Sequence, residues 1–278
     1  MKKEDYPILY KMASDASANN QKAYFGLLGA YLLVLCVSGV IDNFVENQWF
    51  SFIAFLLSWT LFALLQHYKF QEKWYNCRAT AESVKCITWC WMMGAEPYSR
   101  GNADKKLKAE IFKMYEGVKS LIHLPENCND GDCFVSTKMR EVRGSNLDEK
   151  KDFYKNHRYE DQKKWYASKG KFNGEKHKYG FLAFNVLYII VSVLFLYNIF
   201  QDENISTTYI LTMASALVAW MEAKRYSDLK NAYTVSSCDI QMMGAADNII
   251  DEKEFAKYVR NCENAFSREH VRWAARAS

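Results

Sequence analysis

Residues 23–41 read AYFGLLGAYLLVLCVSGVI, and the fold turns on whether that run lies in lipid or in a protein core. A helix rises about 1.5 Å per residue and needs roughly 20 mostly apolar residues to cross a bilayer, so length alone leaves both answers open. The surroundings decide. Past the acidic linker DNFVENQ a second run, WFSFIAFLLSWTLFALL, occupies 49–65. No Lys or Arg occurs between Lys22 and Lys69, although the 278 residues carry 36 basic side chains.

The same basic-free window recurs between Lys178 and Lys224. It holds YGFLAFNVLYIIVSVLFLYNIF (179–200) and TTYILTMASALVAWM (207–221) around the linker QDENIS. Tyr24, Trp49, Tyr68, Tyr179 and Trp220 stand near run ends, where aromatic rings favour the membrane interface. The expected fold class is an all-α membrane protein with four transmembrane helices, in two repeated hairpins extended by long cytoplasmic helices.

Charge sets the expected orientation. Both hairpin linkers lack basic residues and carry Asp42, Glu46, Asp202 and Glu203, while all 36 basic residues lie in the N-terminal arm, the segment between the hairpins, and the C-terminal tail. Basic segments stay on the cytoplasmic side, so both termini are expected inside, in a multi-pass membrane protein. The start, MKKEDYPILYKMASDASANNQ, lacks a signal-peptide pattern and reads as part of the mature protein. Of eight cysteines, Cys36 falls within a span and seven fall on the reducing side, so free thiols are expected. Cys128 and Cys133, and Cys86 with Cys90, lack a second ligand pair, and no metal or cofactor site is expected.

A repeat underlies the hairpins. Met-Met-Gly-Ala occurs at 92–95 and again at 242–245, and a shift of 150 nearly superposes the two hairpins. The domains expected are a first unit over 1–98, a middle segment over 99–150, and a second unit over 151–278. In the middle segment Leu107, Ile111, Tyr115, Val118 and Ile122 make an amphipathic helix, suited to packing on the exit helices. Asp130-Gly131 suggests a turn, and Ser145-Asn146-Leu147-Asp148 a capping box. Glycine in Met-Met-Gly-Ala lets a helix end, and its methionines pack flexibly, which makes the motif a packing point between exit helices.

Three stretches carry a family likeness: DYPILYKMASDASANNQKAYF with KWYNCRATAESVKCITWCWMMGAEPY, then RYEDQKKWYASKGKFNGEKHKYG, then ENAFSREHVRWAARAS. Together they resemble the SLATT superfamily, 1–98 like one subtype and about 157–278 like another. Trp165-Tyr166 with Lys169 and Asn173, and Glu269-His270 with Trp273, stand in the family's order, whereas Cys77, Cys86, Cys90 and Trp91 depart from its exit-helix pattern. The resemblance implies a membrane-disrupting effector of a bacterial conflict or antiviral defence system, held off until infection is sensed.

Enzyme chemistry is not expected. GKFNGEK (170–176) lacks the spacing and the Lys-Ser/Thr ending of a phosphate-binding loop, and no charge marks the spans as a proton path. What the spans carry is hydroxyls at helical spacing. Thr208, Thr212, Ser215 and Ala219 form one stripe toward Glu222, the candidate cytoplasmic mouth; Ser51 with Ser58, and Asn185 with Ser192, are each seven apart. They are candidate pore-lining residues; close helix packing explains the 208–219 stripe equally well and explains Ser51, Ser58, Asn185 and Ser192 better. Four helices enclose little lumen, so an ion channel requires a homo-oligomer. Candidate coupling and packing residues are Trp74, Arg78, Glu82, Trp89, Met93, Met243, Trp165, Glu269, His270 and Trp273.

The expected partners are the lipid bilayer, further copies of the chain, and an activating nucleotide second messenger or cytoplasmic protein, with no nucleic-acid site. The alternative function is a non-conducting anchor that scaffolds cytoplasmic partners. A solute transporter is disfavoured, because nothing charged or helix-breaking marks a midplane site.

Overall fold

Three stretches, Ile8–Phe44, Gln48–Met92 and Leu147–Gln201, each hold a window long and apolar enough to cross a membrane. They belong to a computed structural model that describes residues 1–99, 101–125, 128 and 133–277, with the side chains of 247 and 268–277 outside the description. Among the described residues there is no strand. The helices are α1 (Ile8–Phe44), α2 (Gln48–Tyr68), α3 (Phe70–Met92), α4 (Ala103–Glu116), α5 (Thr137–Gly144), α6 (Leu147–Tyr154), α7 (Glu160–Gln201), α8 (Thr208–Lys224), α9 (Tyr226–Met243) and α10 (Glu252–Ala277). A five-residue π-helix, Lys155–Tyr159, joins α6 to α7.

The chain folds into two units that cut across its sequence repeat. Unit 1 takes 1–21, 71–168 and 232–278; unit 2 takes 22–70 and 169–231. Each therefore combines parts of both halves. Solvation explains the partition: the basic-free windows fall in unit 2, and 52 of the 68 charged side chains fall in unit 1.

Unit 2 is apolar on the outside. Trp49, Phe55, Trp59, Leu182, Ile189, Ile199 and Phe200 are all exposed, Phe200 by 79%. Large apolar surfaces of this kind suit a hydrocarbon surround and are rare in water. Inside, the helices approach through small residues. A Cβ on Gly39 of α1 would meet Thr212 Oγ1 of α8 at 3.5 Å, and one on Gly180 of α7 would meet Met221 Sδ of α8 at 2.5 Å. Phe25 and Trp220 meet edge to face at 5.8 Å, and Tyr31 faces Phe62 at 5.8 Å. The fourth apolar run forms α8, a helix of 17 residues.

Unit 1 has a dense core. Leu9, Val84, Trp89, Met92, Leu107, Ile111, Met139, Val259 and Cys262 are fully buried. The amphipathic middle segment thus packs into this core through Leu107 and Ile111, although its α-helix stops at Glu116 and leaves Val118 and Ile122, both buried, in the turn beyond it. The predicted capping box is present one residue later than the Ser145 start: Asn146 accepts from the Glu149 amide, and Glu149 accepts in return from the Asn146 amide. The turn at Asp130-Gly131 lies outside the described residues.

Met-Met-Gly-Ala ends a helix both times. Gly94 after α3 has φ +69° and Gly244 after α9 has φ +66°. That left-handed conformation is free for glycine and turns the chain out of the helix, with the Ala95 amide donating back to the Cys90 carbonyl at 2.9 Å. A second pair of breaks recurs without glycine: Lys69 between α2 and α3 has φ 47°, and Arg225 between α8 and α9 has φ 53°.

Candidate functional site

Four of the candidate polar side chains in the apolar helices bond to their own helix backbones. Thr212 Oγ1 donates to the Thr208 carbonyl at 2.9 Å, Ser192 to Tyr188 at 2.9 Å, Ser58 to Phe55 at 2.8 Å, and the Asn185 amide to Phe181 at 2.7 Å. A donor bonded within its own helix can face lipid, a neighbour or water at small cost. Position then separates the candidates. Ser58 is buried with Ala54 on one face of α2. Ser51 and Asn185 are half-buried, and Ser192 is exposed.

On α8 the packing face runs through Ile210 and Ala214, both buried, with Thr212 half-buried toward Gly39. Thr208, Ser215, Ala219 and Glu222 are exposed. The stripe therefore divides: one member faces α1, and the rest lie open along the single chain.

The coupling candidates gather largely in unit 1. Trp74 is buried and stacks on Tyr75 at 4.6 Å. Trp89 is fully buried and donates its Nε1–H to the Tyr6 hydroxyl at 3.0 Å. Met93 is buried beside the helix end, and Met243 Sδ lies 3.7 Å from Cys262 Sγ. Trp165 packs edge to face on Tyr166 at 4.9 Å and on Tyr233 at 5.2 Å. Arg78 and Glu82 are half-buried on α3. Glu82 acts electrostatically on Tyr10, whose hydroxyl is raised first by burial and then by that carboxylate. The side chains of Glu269, His270 and Trp273 lie outside the described residues.

At the centre of unit 1 stands a cluster absent from the sequence-based candidates. Arg158, in the π-helix, and Glu263, in α10, are each 1% exposed. Arg158 donates through Nε to Oε1 at 2.9 Å and through Nη2 to Oε2 at 2.6 Å. The Tyr154 hydroxyl donates to Glu263 Oε1 at 3.0 Å, and Cys86 Sγ lies 3.6 Å from Arg158 Nη2. The guanidinium sits 5.0 Å from the Phe266 ring centre. Its Nη1 is buried with no partner among the described residues. The extra residue of a π-turn rotates the helix beyond it, and π-turns recur at functional sites; here the turn holds an arginine sealed in the core.

This cluster is electrostatically closed. Burial pulls the Arg158 guanidinium down, but the charge and hydrogen bonds of Glu263 outweigh it and hold the group well above its ordinary value. Burial and then Glu263 push the Cys86 thiol and the Tyr154 hydroxyl well up. Burial likewise takes Cys90 to about 12 and Cys262 to about 11. Neutral thiols of this kind are poor nucleophiles, so the arrangement clamps helices and does not activate a cysteine.

A polar groove of about 520 Å³ opens on the surface of the same unit. Glu96, Arg143, Lys150, Glu252 and Lys253 line it. Arg143 also donates to the backbone carbonyls of Trp91 and Tyr98 and lies 4.7 Å from the Trp91 ring centre, which ties the groove to the end of α3.

The sequence carries a signal for the carboxylate of this pair. Phe255, Val259, Cys262 and Phe266 follow the i, i+4, i+7, i+11 spacing of a buried helix face, and Glu263 falls among them eight residues after Phe255. A carboxylate on such a face requires a cation, and Arg158 sits among Tyr154, His157 and Tyr159.

Helices with exposed apolar surfaces and a charged unit built from both halves define an all-helical protein suited to membrane association. Similarity to known proteins gives the family. Residues 7–151 match the SMODS and SLOG-associating 2TM effector domain 3, and residues 154–273 match the SMODS and SLOG-associating 2TM effector domain 1. The chain belongs to the SLATT family, with two such domains in tandem. No curated protein and no solved structure matches it.

Proposed function

We propose that this chain is an oligomeric pore-forming effector of a bacterial conflict system, acting by membrane permeabilisation and without catalysis. The apolar helices form four spans in two hairpins, α8 being the fourth, with both termini on the cytoplasmic side of the inner membrane. The supporting observation is the open face of α8, where Thr208, Ser215 and Glu222 are exposed while Ile210 and Ala214 are buried. In a ring of copies that face supplies hydroxyls to a lumen and a carboxylate to its mouth. The activating signal, a nucleotide second messenger or a cytoplasmic protein, acts on unit 1, where Arg143, Lys150 and Lys253 stand with Glu96 and Glu252 in the groove and suit a polar ligand with an anionic group.

Ion flux from vesicles carrying the reconstituted full chain tests this, with and without candidate nucleotides. Flux that falls in Ser215→Leu while helicity is unchanged supports the pore. Absence of flux under every activating condition overturns it.

A second reading rests on Val235, Met242 and Ile250, exposed apolar residues of unit 1, with Met242 86% and Ile250 89% exposed. They suit a protein partner and favour a non-conducting scaffold. On that reading Ser215→Leu leaves function intact, and Met242→Asp with Ile250→Asp abolishes it.

A further inference from the structure

The cavity of unit 2 differs in chemistry from the polar groove of unit 1. A groove of about 370 Å³ runs between α1, α2 and the start of α3, lined by Gly26, Leu27, Ala30, Leu64, Tyr68 and Phe70. A Cβ on Gly26 would meet nothing within 4 Å, so the glycine leaves the groove open. Tyr68 and Phe70 stack at 5.3 Å around the left-handed Lys69 and form one wall. Beyond Ala30, the last lining residue of α1, Tyr31 meets Phe62 at 5.8 Å.

Charge stands at one end alone. Lys22 is exposed on α1, four residues before Gly26 and eight before Ala30, hence on the groove's own face. Lys69 sits between the two wall residues. No other Lys or Arg occurs from 23 to 68.

We propose that this groove holds an acyl chain of an anionic phospholipid whose phosphate is taken by Lys22 and Lys69. Size favours a lipid over a second copy. Ala23 to Ala30 covers about 10 Å of helix, two turns, whereas a transmembrane partner helix needs a face running the length of the span. A flexible chain fits a short apolar trough, and a phosphate fits lysine ammonium groups at its interfacial end. The proposal rests on α1 and α2 lying in a bilayer, as proposed above.

The full chain is reconstituted in phosphatidylcholine vesicles that contain phosphatidylglycerol with a photoreactive acyl chain, and the crosslinked residues are mapped. Labelling should concentrate on 23–30 and 64–70, and unlabelled phosphatidylglycerol should compete about fivefold better than phosphatidylcholine. Gly26→Phe, which fills open space, should remove groove labelling, and Lys22→Gln should remove the headgroup preference alone. Photoreactive phosphatidylcholine, run in parallel, must label 50–57 if α2 lies in the bilayer.

No label at 50–57 overturns the membrane assignment and this proposal together. Label at 50–57 with groove labelling that ignores headgroup charge, or that persists in Gly26→Phe, overturns the lipid site alone. So does a Gly26→Phe variant that loses self-association in place of lipid.

Discussion

Arg158 and Glu263 lie 105 residues apart and meet through two parallel hydrogen bonds in a core where each is 1% exposed. Such a pair links the π-helix before α7 to the C-terminal α10, with Cys86 of α3 against the guanidinium. It specifies how three helices meet, because each partner has one charge to satisfy it.

Breaking one side leaves the other charged and buried. Arg158→Met or Glu263→Leu should each cost about 3–5 kcal/mol, while the two together should cost much less than their sum. A double-mutant cycle on denaturant unfolding, monitored by helical circular dichroism, measures this. Additive losses would count against the clamp.

The two helix-ending glycines should behave alike. Gly94→Ala and Gly244→Ala each meet no steric obstacle, so their cost is the left-handed backbone alone, about 1 kcal/mol. Gly94→Asn should cost less, since asparagine tolerates that conformation. Thermal unfolding of the three variants decides it.

Thiol reactivity should follow burial. Cys238 is exposed, whereas Cys86, Cys90 and Cys262 are buried with raised titration. At pH 8 a maleimide should label Cys238 first, and the other three should react only when unit 1 opens. Peptide mapping over a time course checks the order.

The same raised thiols make unit 1 sensitive to alkali. Cys262 titrates at about 11 in the fold against 9.0 for the free group, so the folded state binds the proton more tightly. Its stabilising contribution is whole below pH 9 and is lost as pH rises through 9 to 11. Stability should therefore fall above pH 9, and Cys262→Ala should flatten that fall. Unfolding midpoints between pH 7 and 11 provide the test.

On α8, Ser215→Leu and Thr212→Leu should separate. Ser215 is exposed, so leucine there should leave folding unchanged, whereas at 212 it must fit against Gly39 and should cost about 1–3 kcal/mol by overpacking. Comparing helicity after mild heating with ion flux distinguishes a packing loss from a conduction loss.

Much of this was legible in the chain. Two windows without Lys or Arg decide which helices can face lipid, because hydrocarbon offers a charge no partner. Met-Met-Gly-Ala marked both exit-helix ends, since glycine enters the left-handed turn without steric cost. The capping box near 146 was legible for the same local reason, one residue from its expected start.

The partners of buried groups were not legible. Glu263 interrupts an apolar face, yet nothing near it in sequence identifies Arg158, whose inward placement depends on a π-turn without a residue signature. The exposed and packed members of the α8 stripe share one composition, and only the neighbour Gly39 separates Thr212 from Ser215.

Local chemistry, acting within a few residues, thus determined the helices, their ends, the lipid-compatible stretches and the repeat. Tertiary structure decided that each unit is assembled from both halves of that repeat. It also decided that a distant arginine and glutamate share one dry core, because solvation sorts segments by polarity regardless of their order along the chain.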